Sequence, residues 1–364
     1  MLELFFDLVF VFTVTQLTIV VSHTHDAKGF LEAATILFVV WWMYDGYCWL
    51  SNNVVPTSTS TRLPMLFAMG AFLLLAIALP EAYGKDRWLF AFAYLGIVLM
   101  HAASFMRSSL GGSARAVLVI APVNLGATGL LFVAAALPDN HRWIAWVGAV
   151  TVFAGSMLTQ QESRFSIRRV HFAERHRLLL IIALGESVIA IGVSAAGHVS
   201  EIRYTVAVLL AMVLIALFWW VHFADEERAT NALLRIEGTD PTRLVHVALL
   251  AFSMSYLVLV AGLIPVAAGL HEVVHEPGHH LTWLAASLLG VGTAIYLVGN
   301  SLHLFLLDLT SGWPLKVAAF VAIGTIPIGH GVSGDVQVVA LCIVLAVALT
   351  LSERGVRHPM QEVA

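Results

Sequence analysis

The stretch ELFFDLVFVF at the start of the chain holds two carboxylates, Glu3 and Asp7, inside an otherwise apolar run. Their spacing of four puts both on one helical face. An ionisable group at a bilayer centre costs at least ~2.5 kcal/mol on insertion scales, so it reads first as a functional residue. Glu3 stands in a first helical turn, where the dipole favours an anion, and reads as a boundary residue. Asp7 lies deeper. It is expected either to pair with an arginine structurally or to belong to an ion or proton pathway.

Further along, Glu186 stands in ALGES, about ten residues into an apolar run taken to begin at 177, and so near a midplane. A carboxylate at that depth needs a partner, a cavity or another subunit, which leaves room for a homodimer. Two uses satisfy it: a hydrogen-bonded clasp with Gln16, or a proton or cation site. The cluster HFAERHR at 171–177 brings His176 and Arg177 to the mouth of the same run. It reads as an anchor on lipid phosphates, or as an anionic-group or proton-entry site opposite Asp7. Tyr296, Asn300 and His303 repeat at i, i+4 and i+7 and form one polar stripe. His246, Ser253, Tyr256, His222, His101 and Asp45 add polar groups that read as interhelical glue or as the lining of a polar interior.

One motif suggests metal chemistry. HEVVHEPGHH at 271–280 contains H-E-x-x-H, which on a helix would turn His271 and His275 to one side. Pro277 follows at once and would interrupt such a helix. His271 and His275 are therefore weak candidates, and no metal or other cofactor is expected. No phosphate-cradling glycine loop or nucleic-acid patch is present, and the Arg-rich stretch 164–177 is too short to argue for DNA.

These residues need a membrane scaffold to position them. Hydrophobic residues make up 59% of the 364 and charged residues only 12%, against about 25% charged in soluble domains; the mean hydropathy is +0.88. The two cysteines, Cys48 and Cys342, lie in separate apolar runs and make no disulfide framework. Apolar runs fall near 4–23, 31–50, 64–81, 88–106, 115–137, 143–161, 177–197, 203–223, 244–269, 282–307, 314–330 and 336–352. The reading is an all-α integral membrane protein with twelve spans. The first run lacks a basic n-region and a small-residue cleavage pattern, so it reads as a retained span. A natural leader upstream of it is left open.

Of the nineteen Lys and Arg residues, only Lys28, Lys85, Arg87, Arg142 and Arg203 fall on the side opposite the N-terminus. Both termini are therefore expected in the cytoplasm, in the cytoplasmic (plasma) membrane. The runs also repeat. FDLVFVFTVTQLTIVVS parallels LLLIIALGESVIAIGVS with Gln16 opposite Glu186, and FVVWWMYD parallels LFWWVHFAD. Arg62-Leu63 matches Arg243-Leu244, and Leu95-Gly96 matches Leu289-Gly290. Two parallel six-helix repeats are expected, 1–161 and 177–364, joined by a cytoplasmic linker at 162–176.

LELFFDLVFVFTVTQL and ERHRLLLIIALGESVIAIG resemble the two signature helices of the bacterial low temperature requirement protein A family, and the resemblance covers essentially the whole chain. The family's name describes a growth phenotype. LELFFDLVF is also similar, more remotely, to the first-helix F-S-D motif of endolysosomal and bacterial potassium channels, in which the first helix of each repeat lines the pore. Phe6 stands here in place of the serine, and the second repeat carries Arg177 at the register of Asp7.

Three functions follow as expectations. The first is a transporter or channel for protons, cations or a small solute, with membrane lipid and that ion or solute as partners. The second is an intramembrane enzyme on a lipid or isoprenoid; no D-D-x-x-D pair supports it. The third is a scaffold or sensor without flux.

Overall fold

The structure is a computed structural model, and its described residues are 2–53, 59–106, 111–159, 167–198, 201–236, 241–310 and 312–357. Among them every regular element is a helix. The chain runs through α1 (Leu2–Ser22), α2 (Ala27–Asn53), α3 (Thr59–Ala78), α4 (Arg87–Met106), α5 (Gly111–Ala136), α6 (Arg142–Thr159), α7 (Arg169–Ser194) and α8 (Ile202–Phe223). It continues through α9 (Glu226–Arg235), α10 (Pro241–Ala248), a π-helical turn (Leu249–Met254), α11 (Ser255–His275), α12 (Trp283–Leu306), α13 (Trp313–Gly324), α14 (Ile326–Gly331) and α15 (Gly334–Arg357).

Ten helical stretches among the described residues are long and apolar enough to cross a membrane. Twelve runs were expected. α5 and α6 occupy two of them, but the described apolar part of α5, Ile120–Ala136, falls short of a full span. The exposed surface explains why these helices need lipid. Phe320 is 79% exposed, Val193 69% and Phe67 67%; in water such residues form sticky patches, whereas acyl chains match them.

The chain divides into two compact units, residues 1–179 with 236–246, and residues 180–235 with 247–364. In the first, α1 buries Phe6, Asp7, Phe10, Thr13, Val14, Leu17, Thr18 and Val21. This is one stripe at helical period, and Leu4, Phe5 and Leu8 lie exposed on the other side. Phe6 stacks on Tyr47 with centroids 4.8 Å apart, and Phe10 on Tyr44 at 3.9 Å. These contacts register α1 against α2.

In the second unit α11 and α12 pack backbone to backbone. A Cβ on Gly262 would lie 2.5 Å from the Tyr296 nitrogen and 2.7 Å from the Gly292 oxygen, and one on Gly292 would lie 2.8 Å from the Gly262 oxygen. Without a hydrophobic force between helices in lipid, such small-residue contacts supply the association.

The helix boundaries correct one sequence reading. The stretch 162–176 was expected to be a linker, and 162–166 lies outside the described residues. From Arg169 onward it is the first two turns of α7. Hydropathy reads these charged residues as loop, but His171, Arg175 and His176 pair with carboxylates of the first unit and the helix continues through them. Glu186 therefore stands seventeen residues into a 26-residue helix, beyond its midpoint rather than ten residues from its start.

Candidate functional site

The first unit holds a buried ionic network carried by α1, α2 and the start of α7. Arg175 is bidentate on Asp7: Nη1 donates to Oδ2 and Nη2 to Oδ1, each at 2.7 Å. The Tyr44 hydroxyl donates to Asp7 Oδ1, also at 2.7 Å. Asp7 is fully buried and Arg175 is 4% exposed. Three donors on two oxygens make this a charge-assisted fork of the strong kind. Arg175 Nε has no hydrogen-bond partner among the described residues.

The next residue of α7 takes a second carboxylate. His176 Nε2 lies 3.0 Å from Asp45 Oδ1, and Trp49 Nε1 donates to Asp45 Oδ2 at 3.2 Å. His176 Nδ1 lies 2.9 Å from the Phe172 carbonyl. Consecutive helical residues point about 100° apart, so Arg175 and His176 reach α1 and α2 respectively. Nearer the start of α7, His171 Nε2 pairs with Glu3 Oε2 at 3.3 Å. Arg168 reinforces the same end: its Nε donates to the Asn52 carbonyl and its Nη2 to that of Ser51, both at 2.8 Å. These are carbonyls at the end of α2 that the helix itself leaves unbonded.

The second unit holds a separate polar network. His222 Nδ1 lies 2.9 Å from Asn300 Oδ1, and its Nε2 lies 2.9 Å from the Tyr256 hydroxyl. His303 Nδ1 lies 2.6 Å from the Ala251 carbonyl. That carbonyl belongs to the π-helical turn, where the Ser255 N–H bonds to Leu250 five residues back. π-Turns of this kind recur at functional sites. The Tyr296 hydroxyl donates to the Phe218 carbonyl at 2.8 Å. The stripe Tyr296, Asn300 and His303 is thus three interhelical bonds from one face of α12.

Among the expected site residues, Glu3, Asp7 and His176 gather in the first network, and Asn300 and His303 in the second. Arg177 is not the partner of Asp7. It is half-buried and its Nε bonds to the Ala173 carbonyl of its own helix at 3.3 Å. Two residues along a helix rotate a side chain by about 200°, so Arg175 faces Asp7 where Arg177 cannot. Gln16 is half-buried in the first unit and Glu186 is buried in the second.

Sequence reasoning missed Arg175, Asp45 and Tyr44 as site residues. Asp45 carried a signal, being an acid within the apolar run FVVWWMYD. The Trp pairs also differ in setting. Trp41 is 1% exposed and Trp42 donates to Asn124 Oδ1 at 3.0 Å, whereas Trp219 and Trp220 are about half exposed. His271 and His275 stack at 5.9 Å on the last turn of α11, where the helix ends before Pro277, and His271 Nδ1 meets Ser194 Oγ at 2.5 Å. No group of three metal-ligating side chains occurs among the described residues.

A bundle of apolar helices that buries an arginine–carboxylate fork and a histidine–carboxylate pair defines a multi-pass α-helical membrane protein with ionisable groups sequestered inside it. Residues 1–351 match the family of the bacterial low temperature requirement A protein, and the chain belongs to that family. An uncharacterized protein of Rhizobium meliloti (strain 1021) is 26% identical over 312 residues, covering 82% of this chain and 75% of the relative. No solved structure matches.

Proposed function

We propose that the protein is a transporter or channel of the cytoplasmic membrane that moves protons, cations or a small solute. Its twelve spans would form two parallel six-helix repeats, with both termini in the cytoplasm. The observation that carries the reading is the Asp7–Arg175 fork beside the Asp45–His176 pair, all within helices of membrane length. Ionisable groups buried in such helices cost insertion energy and mark ion and proton pathways.

A pair of bonds supports the repeat. Tyr94 donates to the Val39 carbonyl at 3.1 Å, from α4 to α2, as Tyr296 donates to the Phe218 carbonyl, from α12 to α8. Tyr94-Leu95 with His101, and Tyr296-Leu297 with His303, share one spacing. This favours a register for α4 and α12 based on these residues rather than on Leu95-Gly96 and Leu289-Gly290. Trp219 and Trp220 are half exposed, so under this reading the two Trp pairs sit in different settings.

The test is flux of protons and of potassium in liposomes containing the full chain, with Asp7→Asn and Glu186→Gln alongside. Flux of either ion through the unaltered chain, above that of protein-free liposomes, supports the reading. An intact, folded protein that carries neither ion nor a solute gradient overturns it and favours a lipid-modifying enzyme or a scaffold.

A further inference from the structure

We infer that Asp45 and His176 form the proton-binding site of this protein, and that the Asp7–Arg175 fork beside it is a fixed charge pair that does not exchange protons. The inference rests on the conduction reading above and names its ion.

The hydrogen bonds around His176 specify the chemistry. A carbonyl oxygen only accepts, so the nitrogen facing Phe172 O at 2.9 Å, Nδ1, carries a hydrogen. One further proton then lies between Nε2 and Asp45 Oδ1, 3.0 Å apart. Written as imidazolium with carboxylate, or as imidazole with carboxylic acid, the pair has the same composition and no net charge. Releasing that proton breaks one N–H or O–H bond and leaves neutral imidazole facing a carboxylate, with one negative charge. Uptake from water re-forms the bond and returns the pair to neutrality. Trp49 Nε1 holds the other carboxylate oxygen at 3.2 Å, so Asp45 keeps its position in either state.

The surrounding groups do not offer an equivalent site. Asp7 on α1 receives three donors, and its partner Arg175 on α7 does not deprotonate in proteins. Tyr44 on α2 is engaged as a donor to Asp7. The Cys48 thiol, also on α2 and within electrostatic reach of Asp7, Asp45 and Arg175, is fully buried. Histidine is the side chain whose ordinary titration spans neutral pH. The Phe172 ring lies 4.5 Å from His176 and is itself edged by Trp49 at 4.8 Å. His176 is wholly buried, so a proton reaching it is held away from bulk solvent.

The test uses full-length protein, ring-labelled with 15N-histidine and reconstituted in lipid, examined by solid-state NMR between about pH 5 and pH 8. The His176 resonance is assigned by its absence in His176→Gln. The expected result is a reversible change of protonation at Nε2 with Nδ1 protonated throughout. Asp45→Asn removes the shared-proton signature, and Asp45→Glu restores it. Proton flux in matching liposomes is expected to fall at least tenfold in His176→Gln and Asp45→Asn and to recover partly in Asp45→Glu. A His176 ring that keeps one protonation state over the whole range overturns the inference, even where flux exists. A ring that titrates as expected in a protein without flux leaves the proton site standing and overturns the conduction reading instead. Circular dichroism on each variant separates misfolding from loss of the site.

Discussion

The Asp7–Arg175 fork predicts an asymmetry between its two single deletions. Asp7→Asn removes the negative charge and leaves a guanidinium that is 4% exposed. The amide offers one acceptor oxygen to three donors, and its own N–H group faces another N–H. Arg175 cannot shed its charge, so the variant carries an uncompensated buried cation, a class of change that costs ~3–5 kcal/mol. Arg175→Met leaves Asp7 with the Tyr44 bond of 2.7 Å. A buried carboxylate can neutralise itself by taking up a proton, so the residual cost is that of imperfectly satisfied polar atoms, ~1–3 kcal/mol.

Asp7→Asn should therefore be the worse variant by about 2 kcal/mol, the difference between those two ranges. The deficit of Arg175→Met should shrink as pH falls, and that of Asp7→Asn should not. The triple change Asp7→Leu, Arg175→Met, Tyr44→Phe should recover most of the loss, because well-packed apolar replacements of buried ion pairs are often neutral. The assay is reversible unfolding in mixed detergent micelles followed by circular dichroism. Arg175→Met proving the worse variant, or both singles costing under about 1 kcal/mol, would refute the assignment of a buried, neutralising fork.

Four further outcomes test other parts of the structure. Gly262→Ala places a methyl 2.5 Å from the Tyr296 nitrogen, so α11 and α12 must separate, at a cost of ~1–3 kcal/mol in the same unfolding assay. Gly324→Ala, where an added Cβ meets nothing within 4 Å, is expected to be neutral or slightly stabilising through helix propensity. In the second network, Tyr256→Phe and Asn300→Leu both act on His222. A double-mutant cycle should return a coupling of ~0.5–2 kcal/mol, and strict additivity would show that His222 does not connect them. Finally, a nitroxide on Phe320→Cys in a Cys342→Ser background should be accessible to oxygen dissolved in lipid and shielded from a water-soluble relaxant, since Phe320 is 79% exposed on an apolar helix; the reverse pattern would place α13 outside the bilayer.

The apolar helices and most of their approximate positions were legible because hydropathy over about twenty residues is a strong signal. The expectation that Asp7 faces an arginine at the start of the seventh helix was legible too, since a buried acid needs a partner. Which arginine was not. Arg175 and Arg177 have the same charge and nearly the same position in sequence, and only the helical phase separates them. That phase was hidden because 169–176 reads as polar linker by composition. Asp45 was passed over for a related reason: a lone acid in an aromatic run looks like glue until its histidine is known, and His176 comes from a helix whose start was placed eight residues late. The second network was half legible. The stripe on α12 is a matter of period, but its partners on α8 and in the π-turn follow from how helices meet, which no local pattern encodes.

The two ionic pairs of the first unit differ in what they can give up, and α7 holds both through adjacent residues. Arg175 ties α7 to α1 through its fork on Asp7, while His176 ties it to α2 through Asp45, the pair to which the proton site is assigned above. Sliding α7 along its axis by one residue, about 1.5 Å, with its 100° turn, would break both at once. Loss of the proton at His176 changes only the second. A single helix tied on one side by a permanent charge and on the other by a titratable one can respond to a proton by changing its hold on α2 while its anchor on α1 stays in place. A guanidinium in place of His176 would offer Asp45 a bidentate fork with no proton to exchange. On the proton-site proposal, His176 is the residue that would make this core proton-responsive rather than merely braced.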